Sequence, residues 1–402
     1  MIVVSLIINA AALPIFLAIA VLLSNDRRAI NKKTVGILFA LNIFVGWFLT
    51  SFPIGREIIV LTATAFTAVV RIAYEGIAFA LPNWVNVPQM NFVTSALLPL
   101  LMIVPMIDIL NYVGIMPFVI KQVGRALSFI TRAPKFESFF AVEMVILGNP
   151  DVQAVSAVQL RRLSKQRCVT VAIMSMNCVS AAIIGSYIQM MPAEFVLTAI
   201  PLNVINALMF AHILYPVEIS SEEDDAVLAD SSEEKKLPFF NFLGNSIIGA
   251  GKLVFIVTCM VIAFVSLAKL INAGLALISP ALSLEAVLGF VMFPFAWLHV
   301  PDTAETFQLA QFMGTKLITN EFVVMLQVQP LIETFSRHMQ CVITVFVTSF
   351  ANLSTVGILL GTFKGIVDKE KNELISRNVK YMILSGVLVS LMSAGIAGLF
   401  IR

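Results

Sequence analysis

The chain has 402 residues, of which 59% are hydrophobic and 12% charged, and its formal net charge is +2. Soluble proteins usually carry about 25% charged residues, so this chain has too little polar surface to cover a water-soluble globule. No basic tract suggests binding to nucleic acid. No cysteine or histidine spacing suggests a metal site or cofactor, and no pairing of a nucleophile with a base suggests an enzyme.

Eight apolar stretches are each long enough to cross a hydrocarbon core about 30 Å thick. The first one lacks a basic region and a cleavage site, so we predict a retained helix and not a signal peptide. Next to them, the segment 57–81 mixes Arg71 and Glu75 with small and aliphatic residues, which predicts an amphipathic helix along the membrane interface. The eight predicted spans are 3–24, 34–54, 93–119, 168–191, 195–215, 246–274, 339–363 and 379–401.

Two further apolar segments are interrupted by polar turns, which predicts re-entrant hairpins made of two half-helices. Segment 134–163 breaks at 148–151 (Gly-Asn-Pro-Asp), and segment 284–318 breaks at 299–302 (His-Val-Pro-Asp). The distribution of lysine and arginine places both termini outside, with the first hairpin entering from the cytoplasm and the second from outside. Interrupted segments at matching places in two halves indicate the binding site of a transporter.

We therefore predict an all-α polytopic membrane protein with about eight transmembrane helices, two re-entrant hairpins in an inverted repeat and an interfacial helix. The acidic run in its central linker is expected to be a solvated loop, although a functional role stays open. The predicted divisions are 1–133 (first spans, interfacial helix and scaffold), 134–216 (first hairpin and two spans), 217–245 (polar cytoplasmic linker), 246–283 (scaffold span) and 284–402 (second hairpin and last two spans).

Polar groups at membrane depth are the candidate ligands, because they must be satisfied internally or face a cavity. In the second turn, we favour a structural role for Asp302 as a helix cap and for Glu305 as its capping-box partner. In the first turn, Asn149 can cap a helix whose first position is Pro150, and a ligand role for Asn149 and Asp151 is compatible with capping.

Acidic residues within apolar segments are the second group of candidates. Glu321 lies between aliphatic neighbours, where a carboxylate costs roughly 2.5–3.5 kcal/mol on insertion scales, so it needs a partner, a cavity or a proton. Glu143 is a similar acid in the first hairpin and can either pair with a basic residue or titrate. The polar stretch 348–357 lies inside a predicted span, where Asn352 and Thr355 fit either helix packing or a local break, and Phe350 can stack on a flat ring.

Four short motifs make the chain resemble the concentrative nucleoside transporter family, in its bacterial nucleoside permease branch. They are 135–139 (Lys-Phe-Glu-Ser-Phe), the turn that follows Leu147-Gly148, 314–322 (Gly-Thr-Lys-Leu-Ile-Thr-Asn-Glu-Phe) and 349–352 (Ser-Phe-Ala-Asn). The resemblance covers nearly the whole chain. It implies a homotrimer in the cytoplasmic membrane, in which each protomer imports a nucleoside by an elevator-like shift of the unit that contains the hairpins.

The resemblance also implies roles for individual residues. Glu321, Asn352 and Thr355 are expected to bind ribose, and Phe350 to lie against the nucleoside. The first turn, with Asn149 and Asp151, is expected to read the base. That turn is Gly-Asn-Pro-Asp where many relatives have Gly-Gln-Ser/Thr-Glu, so its side chains are shorter. A roomier pocket suits a purine, while a pyrimidine or broad preference stays open.

The coupling ion is the second departure from the family pattern. Met144 stands where sodium-coupled relatives have Asn, and Ala182 where they tend to have Ser. Hard cations need oxygen ligands. We therefore predict proton coupling, with sodium as the alternative, and with Glu143, Asp151 and Glu321 as candidate proton carriers. A different class of function, a non-transporting membrane partner that uses a similar gate-like fold, would not need the acid at Glu321.

Overall fold

The computed structural model describes residues 2–149, 151–219, 223–224, 237–280 and 282–401, and every regular element in these ranges is helical. Within these ranges, six helices are long and apolar enough to cross a membrane. They are Lys32–Thr50, Pro53–Ala80, Val93–Tyr112, Ala193–Leu214, Phe239–Ala276 and Val379–Phe400.

Before the first hairpin, the chain forms a set of helices joined by short turns. Asn31 caps the second of them through the amide of Thr34, and a proline opens the third. These elements are α1 (Ile2–Leu22), α2 (Lys32–Thr50), α3 (Pro53–Ala80), α4 (Pro82–Val85), a π-helical turn (Val93–Leu97), α5 (Leu100–Tyr112) and α6 (Ile115–Thr131).

The first hairpin and the two helices after it follow next. They comprise α7 (Lys135–Leu147), α8 (Asp151–Val155), α9 (Ala157–Arg162), α10 (Lys165–Ser175), α11 (Ala181–Tyr187) and α12 (Ala193–Leu214). The second half consists of α13 (Phe239–Ala276), α14 (Leu284–His299), α15 (Thr303–Ile318), α16 (Glu321–Val328), a 3₁₀ turn (Ile332–Thr334), α17 (Arg337–Val347), α18 (Leu353–Ile366), α19 (Lys369–Arg377) and α20 (Val379–Phe400).

The two halves repeat the same order of elements. In each, a spanning helix and a second helix lead to a pair of half-helices, then to a broken helix and an unbroken one: α5 to α12 in the first half, and α13 to α20 in the second. In this order the counterpart of the turn after Leu147 is the turn Thr319-Asn320. The predicted turn at 299–302 is present, and it joins α14 to α15. Glycines bring these two helices close together, with Gly314 against Leu288 and Gly289 against Gln311.

Three predicted spans, 93–119, 168–191 and 339–363, are not continuous. Stretch 168–191 was predicted as one span, but α10 ends at Ser175 and Ser180 caps a new helix through the amide of Ile183. Stretch 93–119 ends as a helix at Tyr112, because Gly114 adopts a φ of +91° and starts α6 in a new direction. The local break considered for 348–357 is present, since α17 ends at Val347 and α18 begins at Leu353.

Burial separates the spanning helices into two groups. In α12 and α20, 78% and 72% of the most apolar window is buried inside the protein, whereas in α13 only 11% is buried. The core therefore lies around α12 and α20, while α13 presents its surface outward. Helix α3 covers most of segment 57–81, and its position along the membrane interface stays a prediction.

The predicted linker 217–245 is partly helical and partly anchored. Residues 220–222 and 225–236 lie outside the described residues, and from Phe239 onward the linker is already the start of α13. Asp224 packs against the base of the first hairpin. Its carboxylate accepts hydrogen bonds from the backbone amides of Lys135 (2.7 Å) and Phe136 (3.4 Å) and from Arg167 (3.0 Å). This acid is therefore a helix cap for α7 and an ion-pair partner, and not a solvated residue.

Candidate functional site

The turn between α15 and α16 places a carboxylate in the interior. Asn320 caps α16 by accepting a hydrogen bond from the amide of Val323 at 3.0 Å, and Glu321, only 1% exposed, is the first residue of that helix. Oε1 of Glu321 accepts a hydrogen bond from the hydroxyl of Tyr187, and Oε2 accepts one from Nδ2 of Asn352, both at 3.1 Å. Three separate elements thus meet at one carboxylate.

The break between α17 and α18 fixes the orientation of the Asn352 amide. Its Oδ1 accepts hydrogen bonds from the backbone amide of Thr355 at 3.0 Å and from the hydroxyl of Ser354 at 2.6 Å. Because the oxygen caps α18, the NH₂ group points the other way, toward Glu321. The Thr355 hydroxyl lies 3.1 Å from the same Oδ1 and 2.5 Å from the carbonyl of the half-buried Phe350. The structure therefore brings together four of the predicted ligands: Glu321, Phe350, Asn352 and Thr355.

The first turn packs against the other broken helix. Gly148 has a φ of +78°, and a Cβ added there would lie 2.4 Å from Cβ of Ser180, so only glycine fits. Asn149 donates from Nδ2 to the carbonyl of Ser175 at 2.8 Å, and its Oδ1 accepts a hydrogen bond from Gln153. The amide of Asn149 thus ties the turn to the end of α10. Pro150, the predicted first residue of the next helix, lies outside the described residues.

The remaining predicted residues lie apart from the Glu321 cluster. Asp151 is exposed in the first turn of α8, and Glu143 is half-buried and accepts a hydrogen bond from the hydroxyl of Ser156 at 2.8 Å. The structural role predicted for Asp302 is confirmed, since its Oδ1 accepts from the amides of Ala304 and Glu305. Glu305 itself accepts hydrogen bonds from Ser336 instead of closing a capping box.

The surroundings of Met144 offer sulfur and hydrocarbon. Met144 is 1% exposed, and its carbonyl accepts hydrogen bonds from the amide of Gly148 at 3.0 Å and from Sγ of Cys178 at 2.8 Å. The broken helix α10–α11 therefore contributes the thiol of Cys178 to the surroundings of Met144. Among the described residues, no group of three or more histidine, cysteine or acidic side chains could hold a metal ion.

Sequence reasoning missed two residues of this region, Tyr187 and Lys316. Tyr187 is fully buried at the end of α11, and its ring packs edge-on against Phe322 with centroids 5.3 Å apart. Lys316 is fully buried one turn before Glu321. The rule that singled out Glu321, a charge within an apolar segment, also applies to Lys316. No comparable signal marked Tyr187.

A cavity of about 220 Å³ adjoins the break between α17 and α18. Asn352 lies on its wall, and the other walls come from apolar side chains of α14 and α15 and from Met176 in the break of the first half. Of the predicted ligands, Asn352 lines this cavity, whereas Glu321, Phe350 and Thr355 do not.

Comparison with known proteins identifies the family. Residues 195–398 match the family described as "Na+ dependent nucleoside transporter C-terminus", and residues 11–84 match its N-terminal counterpart. The chain belongs to the Na+ dependent nucleoside transporter family. It is thus a multi-pass transporter of the plasma membrane and not an enzyme, as the sequence motifs predicted.

Relatives and solved structures cover the chain from end to end. The purine nucleoside transport protein NupG of Bacillus subtilis is 39% identical, over 98% of this chain and 99% of its own length. The nucleoside permease NupC of Helicobacter pylori is 27% identical, over 99% and 98%. The structure of CNTnw in an inward-facing substrate-bound state is 25% identical and superposes with a TM-score of 0.91 over 100% of this chain and 98% of that one. The predicted all-α fold is confirmed.

Proposed function

We propose that this transporter imports purine nucleosides by proton symport, and that Glu321, Asn352 and Thr355 hold the ribose. The observation that carries the proposal is the buried Glu321 carboxylate, whose two oxygens are aimed by Tyr187 and Asn352. A carboxylate accepts hydrogen bonds and an amide NH₂ donates them, so together they match the vicinal hydroxyls of a ribose. Hydrogen bonds to a charged group contribute about 1.5–3 kcal/mol each.

The base is assigned to the first turn and to Phe350. Asn149 is engaged by Ser175 and Gln153, which leaves the exposed Asp151 as the acid available beside that turn. Its carboxylate suits the N–H groups on the edge of guanine or hypoxanthine, and Phe350 can stack on the base. The 39% identity to a protein named for purine nucleoside transport supports the same preference.

Proton coupling is supported by what surrounds Met144. The thioether is a poor ligand for a hard cation, and the Met144 carbonyl already accepts two hydrogen bonds. Glu143, Asp151 and Glu321 are the candidate proton carriers. One charge that crosses 100 mV provides ~2.3 kcal/mol, which sustains about 50-fold accumulation of the nucleoside.

An elevator-like movement in a homotrimer completes the proposal. The same order of helices appears in both halves, and α13 leaves most of its 38 residues on the outer surface, where other copies can pack. An intermediate-state structure of CNTnw also superposes, with a TM-score of 0.90 at 25% identity.

Competition uptake tests the substrate. Cells that lack their own nucleoside carriers would take up radiolabelled inosine in the presence of guanosine, adenosine, uridine, cytidine or free bases. We expect purine nucleosides to compete best, and Glu321→Gln to abolish uptake while Glu285→Gln, which changes an acid on α14, does not. Equal competition by uridine would replace the purine preference with a broad one, and full uptake by Glu321→Gln would overturn the ribose assignment.

Proteoliposomes test the coupling ion. An inward proton gradient without sodium is expected to drive accumulation, and an inward sodium gradient at equal pH is not. The converse result would show sodium coupling and would overturn the argument from Met144.

A further inference from the structure

The ammonium group of Lys316 is fully buried, and no carboxylate of the described residues forms an ion pair with it. Its ammonium donates hydrogen bonds to the carbonyl of Phe346 (2.8 Å), to Oγ of Ser349 (2.6 Å) and to Oγ of Ser390 (2.9 Å). An ammonium has three N–H donors, so all of them are used. The ring of Phe346 lies 4.7 Å from Nζ and adds a cation–π contact. Within the described part of the chain, no ion pair to Lys316 is found.

Phe346, Ser349 and Ser390 form a cage around the Lys316 ammonium. The direction of the hydrogen bonds in this cage follows from the ammonium. Because an ammonium only donates, Ser349 and Ser390 accept from it and must direct their own protons elsewhere. The two hydroxyl oxygens lie 2.9 Å apart, and Ser390 donates to the carbonyl of Gly386 at 2.9 Å. The hydrogen bonds therefore form a chain in which Lys316 donates to Ser349, Ser349 donates to Ser390, and Ser390 donates to the carbonyl of Gly386. Each of these polar groups has a partner.

The cage closes the end of a broken helix. Helix α17 ends at Val347, so the carbonyls of its last turn have no donor within the helix. Lys316 satisfies the carbonyl of Phe346, and Nδ2 of Asn203 satisfies that of Thr348 at 2.5 Å. From this fixed end the chain continues through residues 348–351 to Asn352, whose amide donates to Glu321.

Lys316 and Glu321 stand on opposite sides of one turn. The lysine lies in the last turn of α15 and the glutamate in the first turn of α16, each at the helix end where its charge is favoured by the helix dipole. The two charges therefore balance each other across Thr319-Asn320 without direct contact.

We propose that Lys316 is a positioning residue of the ribose site: a tethered cation that shapes residues 348–352 so that Asn352 reaches Glu321. The inference rests on the proposed binding of ribose by these two residues. In this role Lys316 helps the protein to discriminate between nucleosides that differ in their sugar hydroxyls. It also contributes to the stability of the folded protein.

Calorimetric binding to the purified full-length protein tests this role. Inosine and its 3′-deoxy analogue would be titrated into wild type, Lys316→Met, and Lys364→Met, which changes an exposed lysine on α18. We expect Lys316→Met to bind inosine at least 10-fold more weakly and to lose most of its preference over the deoxy analogue, and Lys364→Met to behave as wild type. Equal losses for both ligands, with the preference kept, would overturn the inference.

Chemical rescue supplies a second readout that does not depend on nucleosides. Lys316→Ala removes a propylammonium group, so added n-propylammonium is expected to raise its melting temperature and restore inosine binding, whereas propanol is not. No effect of the amine on either quantity would overturn the tethered-cation role. A failure of the proposed function looks different: wild type itself would not bind inosine, or Glu321→Gln would bind it unchanged, while rescue of the melting temperature would persist.

Discussion

Glu321 receives its two hydrogen bonds from residues that lie far apart in the sequence. Tyr187 is 134 positions before it, and Asn352 is 31 positions after it. Both donors come from residues beside helix breaks or ends, where the backbone direction changes and side chains from different elements meet. The carboxylate is thus aligned by the protein before a substrate arrives, which lowers the cost of ordering the site on binding.

Tyr187→Phe removes one of these donors and leaves the ring in place. We expect about 10-fold weaker nucleoside binding, because a hydrogen bond to a charged group contributes about 1.5–3 kcal/mol. Calorimetry on the purified protein measures the change. Tyr74→Phe is the matched control, since the Tyr74 hydroxyl donates to the carbonyl of Ser95 away from the site. Equal affinities for Tyr187→Phe and wild type would show that the substrate does not use the aligned carboxylate.

Gly148→Ala tests the close contact between the first turn and Ser180. Both Gly148 and Gly114 have a positive φ, but a Cβ at Gly114 meets open space, whereas one at Gly148 meets Ser180. We expect Gly114→Ala to cost about 1 kcal/mol for backbone strain, and Gly148→Ala to cost more because of the added overlap. Thermal unfolding in detergent compares the two. A smaller effect at Gly148 would contradict the close packing of the turn.

At the residue scale, the sequence predicted the acids within apolar segments better than the residues that donate hydrogen bonds to them. A charge in an apolar segment is visible from its neighbours alone, which is why Glu321 was found. The hydroxyl of Tyr187 became important only through a contact across 134 positions, and the fold alone determines such a contact. Asp151 and Asn149 were predicted together, yet the structure uses the amide of Asn149 to hold the turn to Ser175.

At the scale of elements, the second part of each broken helix (α11 and α18) and the half-helix α16 begin with a side-chain cap. Ser180, Asn320 and Asn352 each accept a hydrogen bond from a backbone amide three residues further along. Caps at such positions compensate for the amides that a helix start leaves unpaired at membrane depth. The short interruptions therefore persist in an apolar environment.

Asp224→Ala is expected to destabilise the first hairpin from a distance. The change removes the cap of α7 and one partner of the fully buried Arg167, which keeps Glu137. We expect a loss of about 2–4 kcal/mol, between that of a cap and that of a broken buried ion pair. Asp368→Ala is the matched control, because Asp368 caps α19 at an exposed site through the amide of Lys371. Unfolding in denaturant measures both, and equal losses would show that Arg167 does not need Asp224.

Spans were easier to predict from the sequence than interruptions within them. Stretch 168–191 is apolar throughout, so hydropathy predicted one helix, and the break at 176–180 depends on tertiary hydrogen bonds such as that from Asn177 to Ser385 (3.0 Å). The break at 348–352 was considered because small and polar residues cluster in the stretch 348–357. The second hairpin turn was predicted at 299–302, but the element order places Thr319-Asn320, which the sequence showed only as part of the motif 314–322, as the counterpart of the first hairpin turn.

At the scale of the whole molecule, α13 presents an apolar surface that lipid or another protein must cover. A helix of 38 residues that buries 11% of its most apolar window contributes little to the core of one chain. We expect native mass spectrometry of the transporter, released from nanodiscs, to show three copies. A single copy under conditions that preserve nucleoside binding would contradict the proposed trimer.

The anchoring of Asp224 also ties the predicted linker to the first half of the chain. The carboxylate reaches α7, 89 positions earlier, so the contact that caps α7 forms only after residue 224 has been synthesised. A transporter expressed as two fragments is therefore expected to reassemble when the cut follows Asp224 and to fail when the cut falls at residue 216. Asp224, which lies in the predicted linker, thus contacts the hairpin that precedes it.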